Sequence, residues 1–362
     1  MMKHKRLLAF LLLCAMLIPL AACGPGEEET PDAPTIVYEG EDPYPNAEYY
    51  TMVIGHAQLE DNPRAISLAQ FAYDVDMATH GHVKVEVVGD SQLGTESELQ
   101  EKVMAGTIQG MRGGQFDFYP RLAMLSIPFL TSNRAEIDAL LQSDLTKRLL
   151  QETGEATGTV IINVCDAGGY RQFSNNVRPI KSPEDLKGLH MRTNSAATNI
   201  MTFEAMGATT TAIPFVDLYM ALETGVVDGQ ENPWINMVDK KFYEVQKYFT
   251  EVNYQFHPDP FYGNAAWFNA LPEEFQTILT DCAAKMGTYN DQLVDEMAQA
   301  ARQVIADSEA EVYIPTAEEM AAFRAAVQPV YDQCVSTGIC TAKELREMQR
   351  IVAGEEVNVP NI

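Results

Sequence analysis

The sequence predicts an α/β protein of two lobes, and three observations carry that expectation. The start of the folded part reads strand, helix, strand, helix, the order of a parallel α/β unit. About 315 residues follow a Pro-rich spacer, more than one hydrophobic core usually holds. The run from Pro272 to about Ala310 has no internal proline and keeps helical periodicity, which gives a helix roughly 55 Å long, longer than a single lobe.

In chain order, Lys3, Lys5 and Arg6 precede the apolar run Leu7 to Leu20, too short to span a membrane stably and flanked as an export leader is. Leu20-Ala21-Ala22-Cys23 looks like a bacterial lipobox, so residues 1–22 are expected to be removed and Cys23 to carry the lipid that anchors the chain. Residues 23–47 hold Glu27, Glu28, Glu29 and repeated prolines with few apolar side chains, and are expected to form an extended, disordered tether. Two lobes follow, 48–170 plus 263–295 and 171–262, with 296–362 as C-terminal helices packing across them.

Tyr50 to Gly55 reads as a strand, followed by a helix capped at Asn62 with Pro63 behind it and closed by Gly81. Val83 to Val88 alternates as a second strand, and Gly94-Thr95 opens a helix through Leu99 and Val103 that stops at Gly106. Thr159 to Cys165 is a β-branched strand, released by Gly168-Gly169 into Tyr170 to Ser174. Ser182-Pro183-Glu184-Asp185 starts a helix, and Leu189 to Arg192 forms a strand that ends at Thr193-Asn194-Ser195. Tyr248 to Phe256 and Gly263 to Phe268 read as further strands, with His257 a hinge or structural residue between them. Gly287 is a place for the long helix to bend, Thr316 and Thr341 begin terminal helices, and Pro329 kinks or splits the first.

Gly207 to Trp234 is the densest stretch. Phe215, Leu218, Tyr219 and Leu222 recur at helical spacing, which predicts a helix over Val216 to Thr224, and Gly225 ends it. Val226 and Val227 return to the core. Asp228-Gly229 turns the chain, and Asn232-Pro233 reads as N-cap and first residue of the next helix, holding Asp228, Gln230, Glu231 and Asn232 on a short turn.

The run Pro214 to Tyr219 followed by Ala221-Leu222-Glu223-Thr224-Gly225-Val226-Val227-Asp228-Gly229-Gln230-Glu231-Asn232-Pro233 resembles the signature of the extracytoplasmic solute receptors of TRAP transporters, the dicarboxylate-receptor-like family. Gly89 to Gly94, with its Gln-Leu-Gly, and Ile127-Pro128-Phe129-Leu130 match weaker elements of that family, and the resemblance covers about Tyr50 to Gly287. Ala212, Val216-Asp217 and Glu223 depart from the usual Pro, Ser-Glu and Gln. The resemblance implies a periplasmic-binding-protein-like fold whose long helix spans both domains. It also implies a receptor that closes on a small organic anion and hands it to membrane permease subunits, with no cofactor and as a monomer.

Within that resemblance Arg192 stands where the family clamps the ligand carboxylate, and Arg171 where a second arginine assists. A guanidinium presents paired N–H donors that match a carboxylate and stays charged at any working pH. Asn232 is a polar contact or a plain helix cap, Phe215 a wall of the site or plain core, and Glu231 orients an arginine or accepts a ligand hydroxyl. Metal-using members resemble a branch with Trp soon after the Glu of this turn. Gln230-Glu231-Asn232-Pro233 points instead to direct arginine binding, so no metal is expected.

The formal net charge is −26, or −29 once Lys3, Lys5 and Arg6 leave with the leader, which disfavours nucleic acid and anionic lipid headgroups as partners. Six cysteines include Cys14 in the leader and Cys23; Cys165 and Cys282 read as buried small hydrophobes, and Cys334 with Cys340 could form a disulfide in an exported protein. No nucleophile elbow, metal-ligand His pair, phosphate loop or dinucleotide fingerprint is present, so no enzyme activity is expected. A sensing receptor on the same anchor and an exported carbohydrate-active enzyme are the competing readings.

Overall fold

The computed structural model describes residues 38–355. The leader, Cys23 and most of the tether lie outside them. The tether was expected to run to Ala47, but Tyr44 and Ala47 already pack on the first core, where the Tyr44 ring meets Phe275 edge-on at 4.9 Å.

The chain begins with β1 (Tyr50–Gly55), α1 (Pro63–Ala78), β2 (Val83–Val88), α2 (Glu96–Met104) and β3 (Gly110–Arg112). The predicted cap at Asn62 is in place, its side chain accepting from the Arg64 amide, and the helix expected after Gly94-Thr95 starts on a reciprocal capping box of Thr95 and Glu98. Leu68, Phe71 and Val75, spaced three and four apart on α1, are fully buried with Met52 and Ile54 of β1. Helices α3 (Arg134–Leu141) and α4 (Asp144–Thr157) lead to β4 (Thr159–Asp166). The chain then crosses to a second sheet through β5 (Arg171–Asn175), β6 (His190–Thr193), α5 (Ala197–Ala205), β7 (Thr209–Ala212), α6 (Leu218–Glu223), β8 (Gly229–Pro233), α7 (Trp234–Asp239) and β9 (Tyr248–Thr250). It returns by β10 (Pro258–Asn264) and α8 (Ala265–Ala270) to the long helix α9 (Glu273–Ala306), then ends in β11 (Glu311–Tyr313), α10 (Ala317–Ala326), α11 (Gln328–Ser336) and α12 (Ala342–Val352).

Two sheets result, ordered β2-β1-β3-β10-β4 and β11-β9-β5-β8-β6-β7. In the first, β1 is parallel to β2 and β3, and β10 runs antiparallel between β3 and β4. In the second, β6 is parallel to β7 and β8, while β5 runs antiparallel to β8 and β9. Helix α9, 34 residues and so roughly 51 Å long, packs on α1 and β4 of the first unit and on α7 and β11 of the second. It is the spanning helix that the proline-free run predicts.

Several local expectations are corrected. Asn232 and Pro233 lie in β8, not at a helix start, and Pro233 itself is the N-cap of α7. Gln230, Glu231 and Asn232 are therefore buried strand residues rather than turn residues. A strand wins here because β8 sits between β5 and β6, whose ladders take up its backbone groups. Residues Phe215–Asp217 form a 3₁₀ turn ahead of α6, and Val226 is 57% exposed while Val227 is buried. The Ser182 start makes a four-residue 3₁₀ turn only. The strand predicted over Tyr248 to Phe256 covers three residues, and the next begins at Pro258, with residues from Ala265 already helical. Prolines 258 and 260 are tolerated in β10 because its pairing with β3 begins at Phe261, leaving one flank without a ladder. Cys334 and Cys340 are separate buried thiols.

Gly287, read as a place for the helix to bend, lies inside α9, which runs unbroken from Glu273 to Ala306. A Cβ there would meet Asn163 Nδ2 at 2.3 Å, and that nitrogen donates to the Ala283 carbonyl at 2.6 Å. Gly287→Ala gains helix propensity but drives Asn163 off its bond, so a net loss of about 1 to 2 kcal/mol is expected. Urea denaturation checks this; a stabilised variant would show that the close approach is soft.

Candidate functional site

In the second sheet β6 and β8 run parallel and β5 runs against them, so the carboxyl ends of β6 and β8 share an edge with the amino end of β5. Arg192 near the end of β6, Asn232 near the end of β8 and Arg171 at the start of β5 therefore collect on one edge of adjacent strands. That is the edge at which open α/β sheets bind ligands. The first sheet presents its matching edge, the residues after β1, β2 and β3. Between the two lies a cavity of about 190 Å³. Its first-sheet wall is Ala57, Ser91, Thr95 to Ser97 and Gln115; its second-sheet wall is Ser195 and Ala212 to Val216.

Phe215 is thus on the wall, half-buried, with its ring edge-on to Phe242 at 5.8 Å. The other four predicted residues lie behind that wall. Arg192 is 1% exposed and donates from Nε and Nη2 to the carbonyl of Ile213, at 2.8 and 2.6 Å. Among the described residues no carboxylate is within ion-pair distance of it. Burial pushes its guanidinium down to about 10, with Glu231 offsetting part of the effect and the neighbouring Arg171 adding to it. It is still charged at neutral pH, held by the Ile213 carbonyl and the field of Glu231 but by no ion pair of its own among the described residues.

Arg171 is held differently. Its guanidinium pairs with Glu231, with Nη2 2.9 Å from Oε1 and Nε close to Oε2, and Nη2 also reaches Asn232 Oδ1 at 3.1 Å. Glu231 accepts in addition from Tyr254 Oη at 2.7 Å and Asn199 Nδ2 at 3.1 Å. Burial and the adjacent Glu231 keep the Tyr254 phenol protonated far above its ordinary range, so it remains a donor. Asn232 Nδ2 donates to Gln230 Oε1 at 2.6 Å. The structure thus brings Arg171, Glu231 and Asn232 together in one network, with Arg192 beside it and Phe215 on the cavity wall.

Sequence reasoning missed a second charged cluster behind the first-sheet wall. Asp259 on β10 is fully buried and binds Arg112 Nη2 at 2.7 Å and Arg64 Nε at 3.0 Å, and Arg64 Nη1 reaches Glu96 Oε1 at 2.6 Å. Ser67 and Asn290 of α9 complete it through Arg112. Its acids and arginines are scattered from α1 to β10, and no short-range pattern links them.

Contacts also bridge the two sheets. Ser195 Oγ donates to Gln115 Oε1, Lys240 pairs with Asp90 at 2.7 Å, and the Asp239 carboxylate accepts from Asn62 Nδ2 at 3.4 Å. His257 is buried at this junction: Nε2 donates to the Gly114 carbonyl at 2.8 Å, and the ring stacks on Phe116. Burial, and then nearby arginines, push His257 and His56 down to about 3. A folded state that holds both rings neutral has its advantage above pH 6.5 and loses it progressively as pH falls toward 3. Asp239, which burial pushes up to about 6, works the other way between pH 6 and 3.8, as do Asp166 and Asp291, which burial also raises. The two histidines carry the larger shifts toward acid loss, so urea midpoints should fall from pH 7 to pH 4.5. A flat profile would contradict the neutral, buried rings.

The model of the bacterial extracellular solute-binding protein family 7 matches residues 54–337. The 2,3-diketo-L-gulonate-binding periplasmic protein YiaO of Escherichia coli is 32% identical over 269 residues, covering 70% of this chain and 80% of that protein. The C4-dicarboxylate-binding periplasmic protein DctP of Rhodobacter capsulatus is 30% identical over 292 residues, covering 79% and 87%. Among solved structures, a TRAP periplasmic solute binding protein from Desulfovibrio salexigens with bound orotic acid superposes with a TM-score of 0.80 at 30% identity, covering 84% of this chain and 99% of that one. With the family match spanning most of the chain, these likenesses place this protein in the bacterial extracellular solute-binding protein family 7, the extracytoplasmic solute receptors of TRAP transporters.

Proposed function

We propose that this chain captures a small organic anion, a C4-dicarboxylate, sugar acid or similar carboxylate, between its two sheets and delivers it to a membrane permease. Cys23 holds the mature chain, as a monomer, to the outer face of the membrane through its lipid. The observation that carries the reading is Arg192: a buried guanidinium behind the cavity wall with no carboxylate of its own. A ligand carboxylate supplies the missing charge and a planar acceptor for its donors. Arg171, anchored by Glu231, is the second cationic contact, Asn232 a polar contact and Phe215 an apolar wall. Because the cavity wall draws on both sheets, the ligand favours the arrangement in which they meet, by its differential affinity for that state. The acids named for the relatives, 2,3-diketo-L-gulonate and C4-dicarboxylates, support an anionic ligand.

The test is a thermal-shift screen of the full chain in mild detergent against diacids, aldonates, uronates, keto acids, aromatic acids and neutral polyols. A ligand that binds the folded state alone raises the midpoint in proportion to RT ln(1 + [L]/Kd). One acid class should raise the midpoint, and Arg192→Ala should abolish the shift. Shifts with neutral polyols alone, or shifts retained without Arg192, would overturn the reading.

A further inference from the structure

The charges around the cavity do more than ask for an anion. On and behind its two walls stand four guanidinium groups, Arg64, Arg112, Arg171 and Arg192, and three carboxylates, Glu96 on the wall itself and Asp259 and Glu231 behind it. Each carboxylate is paired, and the guanidinium left over is Arg192. One ligand carboxylate therefore completes the set. A second would find, among the described residues, only cations that already hold an acid: Arg64, Arg112 and Arg171 in these pairs, and Lys240, over the Phe215 ring, with Asp90.

That second carboxylate would also meet Glu96. This residue lies on the cavity wall opposite Phe215, at the first turn of α2, with its side chain 11% exposed. Oε1 is taken by Arg64, and among the described residues Oε2 has no hydrogen-bond partner. A paired carboxylate with one open oxygen accepts from a hydroxyl and repels an anion. The rest of that wall is polar, with Ser91, Thr95, Ser97 and Gln115 on one side and Ser195 facing them; the Thr95, Ser97 and Ser195 hydroxyls donate to Glu98, Asp117 and Gln115 and keep lone pairs that can accept from a ligand hydroxyl. Pro214, Phe215 and Val216 supply an apolar strip on which C–H groups can lie.

We propose that the cleft selects a singly charged, polyhydroxylated carboxylic acid, of the aldonate or uronate type, over dicarboxylates, and that Glu96 enforces the choice. The selection builds on the carboxylate-receptor reading given above. Arg192 holds the one carboxylate, Glu96 accepts a hydroxyl from the far half of the ligand, and the serine and threonine hydroxyls around it complete the polar wall.

The experiment is calorimetric titration of the full chain with D-gluconate, D-galactonate, D-glucuronate, D-galacturonate, succinate and L-malate, repeated with Glu96→Gln and Arg192→Ala. At least one sugar acid should bind wild type about 100-fold or more tightly than either diacid, the scale set by a like-charge contact. Glu96→Gln should narrow that ratio at least tenfold, because it removes the repelling charge and leaves Arg64 with a single acid partner. The wild-type ranking decides the matter even where the variant fails to fold. A diacid that equals or exceeds every sugar acid in wild type, with its binding lost in Arg192→Ala, would overturn the selectivity while leaving the carboxylate receptor standing. Binding of neither acid class would overturn the receptor reading itself.

Discussion

Replacing Arg192 by methionine is expected to weaken binding of the acid ligand by about 100-fold to 1,000-fold, the usual effect of truncating one side of a buried charge pair, while the unliganded protein becomes more stable. The two halves of that expectation have one cause. Arg192 is buried without a carboxylate, and its folded-state pKa is pushed down to about 10. At neutral pH the fold therefore carries a charge that it would hold more easily in the neutral form. Methionine fills most of the same volume with no charge, and replacing a poorly compensated buried ion by an apolar side chain commonly adds about 1 to 2 kcal/mol. Calorimetric titration and urea unfolding on the same preparation test both halves. A variant that loses both affinity and stability would show that Arg192 serves the fold rather than the ligand.

Glu231 should behave in the opposite way. Its carboxylate is fully buried and takes bonds from Arg171, Asn199 and Tyr254. Glu231→Ala strips Arg171 of its counter-charge inside the protein and leaves the Tyr254 hydroxyl and the Asn199 amide facing a void. A loss of about 3 to 5 kcal/mol is expected, since breaking a buried pair from one side leaves the other charge unmet. Glu231→Gln keeps the shape and the acceptor oxygen but not the charge, and should fall between the two. Urea midpoints and slopes for the pair of variants check the ordering. If Glu231→Ala loses under 1 kcal/mol, the ion pair with Arg171 is weak and Arg171 is free to act on its own.

Much of this arrangement was legible in the sequence, and the limits have physical reasons. Asn62-Pro63 and Thr95 with Glu98 are local devices, so the helices they start fall where the sequence puts them. The proline-free periodic run gives α9 for the same reason. Asn232-Pro233 has the same local signature as a helix start and folds as strand, because the neighbours β5 and β6 lie 57 and 39 residues away or more and nothing nearby announces them. Arginines 171 and 192 could be picked out by their place at strand ends and by family resemblance. Their difference could not, since it depends on Glu231 reaching Arg171 and no acid reaching Arg192. The cluster of Arg64, Arg112, Asp259 and Glu96 was invisible for a stronger version of the same reason: its members come from α1, the end of β3, β10 and α2.

The central claim is that Arg192 binds the carboxylate of the ligand. The most direct measurement keeps the protein intact and changes the ligand: calorimetric titration of the full chain with the tightest-binding acid of the panel and, in parallel, with its primary amide. The amide keeps the size and most of the shape but removes the negative charge. Binding of the amide should be about 100-fold weaker or worse, as expected when a buried guanidinium is left unpaired, and Arg192→Met should bind the two with similar, low affinity. Equal binding of acid and amide by the wild-type chain would contradict the claim.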